Sequence, residues 1–130
     1  MTSPLCELLG CELPIQLAPM GSVSASPSLP LAVAAAGGHG MYPALGLPPS
    51  AIAPVLDALG DRTRAFGVNF IVPVMDRAAL ELAAARAPYV DFFLADPDPA
   101  LVEAVHAGGA ICGWQVESAR GARAAAAASA

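Results

Sequence analysis

The chain has 130 residues, of which 56% are hydrophobic and only 13% are charged, which excludes an intrinsically disordered protein. Six arginines and no lysine stand against 11 acidic residues, and the net charge of −5 excludes the basic surfaces that bind nucleic acids or anionic membranes. The N-terminus lacks a secretory signal and the three cysteines are an odd number, so we expect a cytoplasmic protein.

The first half of the chain alternates short apolar runs with helical stretches. A strand is predicted over 13–18, followed by a helix over 29–36 with Ser26 as its N-cap and a proline at its first position. The second strand is predicted over 39–42. The second helix is predicted over 50–59, where large apolar residues recur at helical spacing and a glycine follows.

The third and fourth units repeat this alternation. The third strand, 65–72, has the clearest pattern because it is rich in β-branched and aromatic residues and a proline follows it. A helix through Arg86 is predicted after it, with Asp76 as the cap, and the fourth strand is predicted over 89–94.

The fifth unit completes the series and ends the chain. Asp96 or Asp98 is predicted to cap the helix before it, the fifth strand is predicted over 110–116, and a last helix over 118–130. That last helix is nearly all alanine and would anchor poorly. This composition favours a chain that stops within a domain, with a low-complexity tail as the alternative.

Five strand-helix units in succession predict an α/β fold with a parallel sheet and right-handed crossovers. The strands are apolar along their length, as expected when helices cover one face and a barrel interior or further helices cover the other. An open doubly wound sheet and five of the eight units of a (β/α)8 TIM barrel both fit this pattern. Periodicity alone does not separate them.

Candidate site residues follow the strands, because active sites of parallel α/β folds lie at the carboxyl ends of the strands. The segment 18–21 is small and proline-containing, so a flat ring can approach its backbone, although an ordinary loop has the same composition. Asn69 and Gln115 are strand amides that a ligand or neighbouring backbone would satisfy. His39, in a glycine-rich turn, is a candidate general base or a structural histidine.

The motifs of several enzyme classes are missing from the sequence. There is no G-x-S-x-G, no H-E-x-x-H, no P-loop and no G-x-G-x-x-G dinucleotide fingerprint. Cys6 and Cys11 have no second ligand pair, so we expect no metal site. Glycines, small residues and amides suit the binding of an organic cofactor better than direct hydrolysis.

Three segments, in this order and spacing, resemble the nitronate monooxygenase (2-nitropropane dioxygenase) family and the related FMN-dependent enoyl-ACP reductases. The segments are Leu9-Gly-Cys-Glu-Leu-Pro-Ile-Gln-Leu-Ala-Pro-Met-Gly21, Leu31-Ala-Val-Ala-Ala-Ala-Gly-Gly-His-Gly40 and Ala65-Phe-Gly-Val-Asn-Phe70. The resemblance covers essentially the whole chain. It implies that residues 1–130 form the N-terminal portion of an FMN-binding (β/α)8 barrel.

The resemblance also implies roles for particular residues. Asn69 would bond to FMN, and Gln115 would lie near the flavin at the end of the fifth strand. The residues that would lie along the flavin are Ala18, Pro19, Met20 and Gly21. The implied reaction oxidises an alkyl nitronate with O2 to a carbonyl compound and nitrite.

The sequence departs from the family in ways that bear on activity. The family's glutamate-alanine-glycine-glycine-histidine segment, with its candidate base, follows strand six, and the phosphate-binding segments follow strands seven and eight. All of these would lie beyond Ala130. We therefore expect the 130 residues alone to be inactive and to bind FMN weakly, with an open sheet edge that favours self-association into a homo-oligomer.

Two alternatives stay open at this point. Within the flavoenzymes, an enoyl-ACP reductase is the alternative to a nitronate monooxygenase, and residues beyond this chain would decide between them. His39 is the catalytic candidate within the chain, although it stands where the family often has an apolar residue. The alternative of another class is a small non-catalytic α/β binding domain, which would need a well-packed last helix.

Overall fold

The computed structural model describes residues 3–21 and 26–130, which form an α/β unit with helices alternating with parallel strands. The helices are α1 Pro4–Leu9, α2 Ser28–Ala35, α3 Pro49–Gly60, α4 Arg77–Arg86, α5 Pro99–Gly108 and α6 Ala119–Ala127. The strands are β1 Gly40–Pro43, β2 Phe66–Ile71, β3 Tyr89–Phe93 and β4 Ile111–Trp114. Among the described helices, none is long and apolar enough to cross a membrane.

The strands form a parallel sheet in the order β1-β2-β3-β4, which is also their order along the chain. Gln16 adds a parallel bridge to His39, so the segment before α2 lies beside β1 in the same sequential order. Doubly wound sheets reverse their strand order at a switch point, whereas barrel strands follow one another in chain order. The architecture is therefore a partial (β/α)8 barrel.

The predicted strand over 13–18 is wrong in its extent, because only Gln16 is bridged. Two backbone hydrogen bonds join this segment to the next: Leu17 N–H donates to the His39 carbonyl at 2.9 Å, and His39 N–H donates to the Ile15 carbonyl at 2.9 Å. Pro14 and Pro19 flank the segment and have no N–H to donate, which limits the ladder to this short stretch.

The helix starts follow the side-chain caps predicted for the second half of the chain. Asp76 accepts from Ala79 N–H at 2.9 Å, which confirms it as the cap of α4. Of the two aspartates considered for α5, Asp98 is the cap and accepts from Ala100 N–H at 2.9 Å. These caps satisfy backbone donors that the first helical turn leaves without partners.

Two helix starts differ from the prediction. Ser26 does not cap α2, because its hydroxyl bonds to the Ser28 hydroxyl and the N-cap position belongs to Pro27. Helix α1 was not predicted, although Ser3 caps it by accepting from Leu5 N–H at 3.3 Å. A serine followed by a proline is a helix-start signal, but six residues are too few to show apolar periodicity.

The hydrophobic core lies between one face of the sheet and helices α3, α4 and α5. Strand residues that alternate along β2 and β3 supply one side, and regularly spaced helix residues supply the other. Apart from alanines, the fully buried members are Tyr42, Ile52, Leu56, Leu59, Phe66, Val68, Phe70, Leu80, Val90, Phe92, Val102 and Val105. The C-terminal segment contributes only alanines: Ala125 of helix α6 is buried, and Ala128 and Ala130, after the helix, pack against the core.

Candidate functional site

The face of the sheet opposite the core, here called the inner face, carries polar side chains. Asn69 on β2 lies directly beside Asp91 on β3, and Asp91 lies beside Gly113 on β4. Successive strand residues point to opposite faces, so these positions face away from the neighbouring core residues. Both Asn69 and Asp91 are only 3% exposed, so their polar groups need partners within the protein.

Asp91 on β3 is the centre of a hydrogen-bond network that joins it to one amide on β2 and to another just after β4. The Asn69 Nδ2 group donates to Asp91 Oδ1 at 2.8 Å. The Gln115 Nε2 group, just past the end of β4, donates to Asp91 Oδ2 at 2.9 Å. The two amides predicted from the sequence are thus brought together, and one buried carboxylate connects them.

Burial raises the pKa of the Asp91 carboxyl above its usual value, and the hydrogen bonds from Gln115 and Asn69 oppose this shift. The role of Asp91 was missed in the sequence, where it stands inside an apolar strand. Its signal is a polar residue at the middle of β3, the strand after the one that carries Asn69. Only the register of the two strands shows that these side chains meet.

A cleft of about 550 Å³ opens at the carboxyl ends of β3 and β4. It is lined by 93–97 from the loop after β3, by 115–118 from the loop after β4, and by Arg120 in the first turn of α6. Gln115 belongs both to this lining and to the Asp91 network. The cleft therefore lies where parallel α/β enzymes carry their ligands, with one of the predicted amides in its wall.

The segment 18–21 lies on the other side of Asn69, toward the loop after β1. Gly21 has a φ of +32° and lies next to the Leu45 side chain in that loop. Met20 is 39% exposed, as are several other large apolar side chains of the chain, so its exposure alone does not mark a ligand surface. Neither the segment nor Asn69 lines the cleft. In the sheet, β2 with Asn69 lies between the segment and the two strands that border the cleft.

His39 lies one residue before β1, whereas Asn69 pairs with Pro43 at the end of that strand. Four residues along a strand separate the two levels by roughly 13 Å. The imidazole is 1% exposed, its Nδ1 lies 3.3 Å from Gln16 Nε2, and its Nε2 has no partner among the described residues. Burial lowers its pKa to about 4, so the ring is neutral at pH 7. His39 is not brought together with the amides, and its catalytic role stays a prediction.

Tyr89 fills the inner face between His39 and the Asp91 network. A Cβ added at Gly67 or Gly113 would overlap its ring or hydroxyl, so the side chain lies flat across β2, β3 and β4. The His39 ring meets it edge-on, with centroids 5.5 Å apart. Burial raises the pKa of the Tyr89 phenol. The glycines therefore make room for an aromatic layer beneath the amides.

Solved structures of flavoenzymes share this architecture. FabK from Thermotoga maritima, an FMN-dependent enoyl-ACP reductase, superposes with a TM-score of 0.86 at 24% identity over 100% of this chain, and a mutant of it with 0.87 at 26% identity. Nitroalkane oxidase from Streptomyces ansochromogenes superposes with 0.83 at 24% identity over 98% of the chain. No protein-family model matches the sequence, and no curated relative matches it.

The chain spans less than half of each of these proteins, 45% and 42% of the two FabK chains and 46% of the nitroalkane oxidase. The similar proteins are enzymes of the FMN-dependent oxidoreductase class. Their likeness extends over the whole described sheet and its helices. The chain therefore has the fold of the nitronate monooxygenase family, in the form of a partial (β/α)8 barrel.

Proposed function

We propose that this chain is the N-terminal, FMN-binding portion of a nitronate monooxygenase-like oxidoreductase. The observation that carries the proposal is the pair of amides, Asn69 and Gln115, held on one carboxylate on the inner face of a partial barrel that is similar to FabK. Binding sites in this architecture lie at that side. A planar heteroaromatic ring presents hydrogen-bonding edges that such amides recognise.

The described residues fit the ring of FMN better than its phosphate. Asn69 and Gln115 would bond to the ring edge, and the backbone of Ala18, Pro19, Met20 and Gly21 would lie along it. The one cationic side chain in the described cleft lining is Arg120, which is exposed. Since the chain includes less than half of a similar flavoenzyme, we expect it to bind FMN weakly by itself.

Bound FMN would supply the redox chemistry by which electrons of the substrate reach O2. In the proposed reaction an alkyl nitronate and O2 yield a carbonyl compound and nitrite. The residues of this chain would bind and orient the ring, since the buried His39 lies about one strand length from the amides and does not line the cleft. We propose a cytoplasmic protein whose partners are the small nitronate and O2, with self-association through the open edge of β4.

An enoyl-ACP reductase-like activity is the second candidate. It is supported by FabK, whose TM-scores of 0.86 and 0.87 exceed the 0.83 of the nitroalkane oxidase. Assays of a longer protein that contains this chain would distinguish the two activities. Nitrite formation and O2 uptake with an alkyl nitronate support the first candidate, whereas reduced-nicotinamide oxidation with an enoyl thioester and no nitrite supports the second.

Titration of FMN with the purified chain tests the cofactor directly through quenching of flavin fluorescence. We expect saturable quenching that Asn69→Ala weakens by about tenfold, the effect of losing one hydrogen bond of roughly 1.4 kcal/mol. Asp61→Asn is the matched control, because this exposed residue at the end of α3 is remote from the inner face. If Asn69→Ala and Asp61→Asn both bind FMN as tightly as the unsubstituted chain, Asn69 does not contact the flavin.

A further inference from the structure

The orientation of Asn69 and Gln115 is fixed by Asp91, which does not itself line the cleft. Both oxygens of Asp91 are occupied, one by each amide, at 2.8 and 2.9 Å. In both contacts an amide nitrogen donates to a carboxylate oxygen, so Asp91 accepts from each amide. Each amide must therefore turn its NH2 group toward Asp91 and its carbonyl oxygen away from it.

The two carbonyl oxygens are the groups left to meet a ligand. Among the described residues, no side chain or backbone group bonds to Asn69 Oδ1 or Gln115 Oε1, and neither is a fully buried atom without a partner. An amide free to rotate would offer either a donor or an acceptor. Because Asp91 removes this freedom, the site presents acceptors from both amides.

We propose that Asp91 is a positioning residue that makes this site select ligand edges carrying N–H donors. This inference rests on the proposed binding of FMN and specifies how the ring is recognised. In the oxidised isoalloxazine ring, N1, N5 and both carbonyl oxygens accept hydrogen bonds, and the imide N3–H is the only donor. The amide oxygen that faces the ring therefore accepts from the imide N–H.

The test compares FMN with its N3-methyl analogue, which lacks that donor and is otherwise equally flat and charged. The unsubstituted protein is expected to bind FMN at least about tenfold more tightly than the analogue, the effect of one hydrogen bond to a buried acceptor. In Asp91→Asn the new side chain can donate as well as accept, which lets one neighbouring amide turn its NH2 group toward the ligand. Discrimination between the two flavins is then expected to fall to about twofold or less.

Asp61→Asn removes the same charge far from the inner face and is expected to keep the full discrimination. Equal binding of FMN and its analogue by the unsubstituted protein would overturn the inference and leave the flavin site in place. Failure to bind either flavin would overturn the proposed function, and the inference with it. If a folded Asp91→Asn variant still prefers FMN over the N3-methyl analogue by about tenfold, Asp91 does not position the amides.

If Asp91→Asn does not fold, a second pair of variants tests the inference. Asn69→Ala and Gln115→Ala each remove one of the two oxygens without placing a new donor beside Asp91. The variant that loses the oxygen facing the imide is expected to bind both flavins equally, while the other keeps its preference. Retention of the preference by both variants overturns the inference.

Discussion

Two buried ionisable residues on the inner face, Asp91 and His39, differ in how fully their side chains are hydrogen-bonded. Asp91 has both oxygens bonded, whereas His39 has one ring nitrogen without a partner among the described residues. A buried polar group that loses its partner costs free energy because it has given up its bonds to water. Stability measurements therefore report on the inner face without any ligand.

Asp91→Ala should destabilise the fold more than the loss of one surface charge does. The change leaves the NH2 groups of Asn69 and Gln115 without their acceptor, and we expect the free energy of unfolding to fall by about 2 to 4 kcal/mol. Asp57→Ala breaks an exposed ion pair with Arg86, 2.8 Å long, and should cost less than about 1 kcal/mol. Urea unfolding of both variants checks the difference, and equal losses would contradict the network.

His39 should make the chain less stable in mild acid. Its pKa in the folded chain is about 4, below the ordinary value of 6.5, so the unfolded chain binds the proton more tightly. The stability it contributes is complete above about pH 6.5 and is lost as the pH falls toward 4, by up to about 3 kcal/mol.

The contribution of His39 to the free energy of unfolding is isolated by comparing two variants between about pH 6.5 and pH 4. His39→Phe should unfold with a shallower loss of stability in acid, while His106→Gln, at the exposed end of α5, should follow the unsubstituted chain. Asp91, whose raised pKa favours the folded state as the pH falls, is present in all three and cancels in the comparison. Identical pH profiles would show that His39 is solvated.

The start of helix α5 is determined by the side chain that caps it. Asp98 caps α5, while Asp96, two residues earlier, is exposed and has no hydrogen bond from the helix among the described contacts. The sequence left these two aspartates as alternatives, because both stand just before the apolar stripe. Only the backbone geometry at the helix start separates them.

The two aspartates give a matched pair of variants. Asp98→Ala should lower the free energy of unfolding by about 1 kcal/mol, the usual effect of losing an N-cap side chain. Asp96→Ala should change it by less than about 0.5 kcal/mol, as surface substitutions do. Thermal unfolding followed by circular dichroism measures both, and a larger loss in Asp96→Ala would reassign the cap.

Glycine substitutions test the packing of Tyr89 across the strands. Gly113→Ala would place a methyl group onto the Tyr89 hydroxyl, so we expect a loss of about 1 to 3 kcal/mol from overpacking. Gly60→Ala, at the end of α3 with open space around it, should stabilise the chain by up to about 1 kcal/mol. If Gly113→Ala unfolds like the unsubstituted chain, Tyr89 does not lie over that strand.

At the scale of the whole molecule, the sequence predicts the fold class and most element positions. The four strands β1 to β4 lie within or beside the predicted runs, because a buried parallel strand leaves a continuous apolar signature. Barrel and open sheet were not separable from periodicity. The sequential order of the strands decides between them, and strand order is a long-range property that no local pattern contains.

The candidate site was predictable only in part, for the same reason. Asn69 and Gln115 were found because polar amides stand out in apolar strands. Asp91 also stands out, but its role depends on the register that places it beside Asn69. The distance of His39 from the amides likewise follows from its place at the amino end of β1. Residue types can nominate candidates, while register and topology decide which of them meet.

We propose above all that FMN binds at the carboxyl-terminal side of this partial barrel. The most direct measurement is a crystal structure of the chain with FMN. We expect an isoalloxazine ring beside Asn69 and Gln115, with its imide edge toward their carbonyl oxygens. A flavin ordered elsewhere on the chain, or crystals grown in saturating FMN with the amides solvated and no ring beside them, would contradict it.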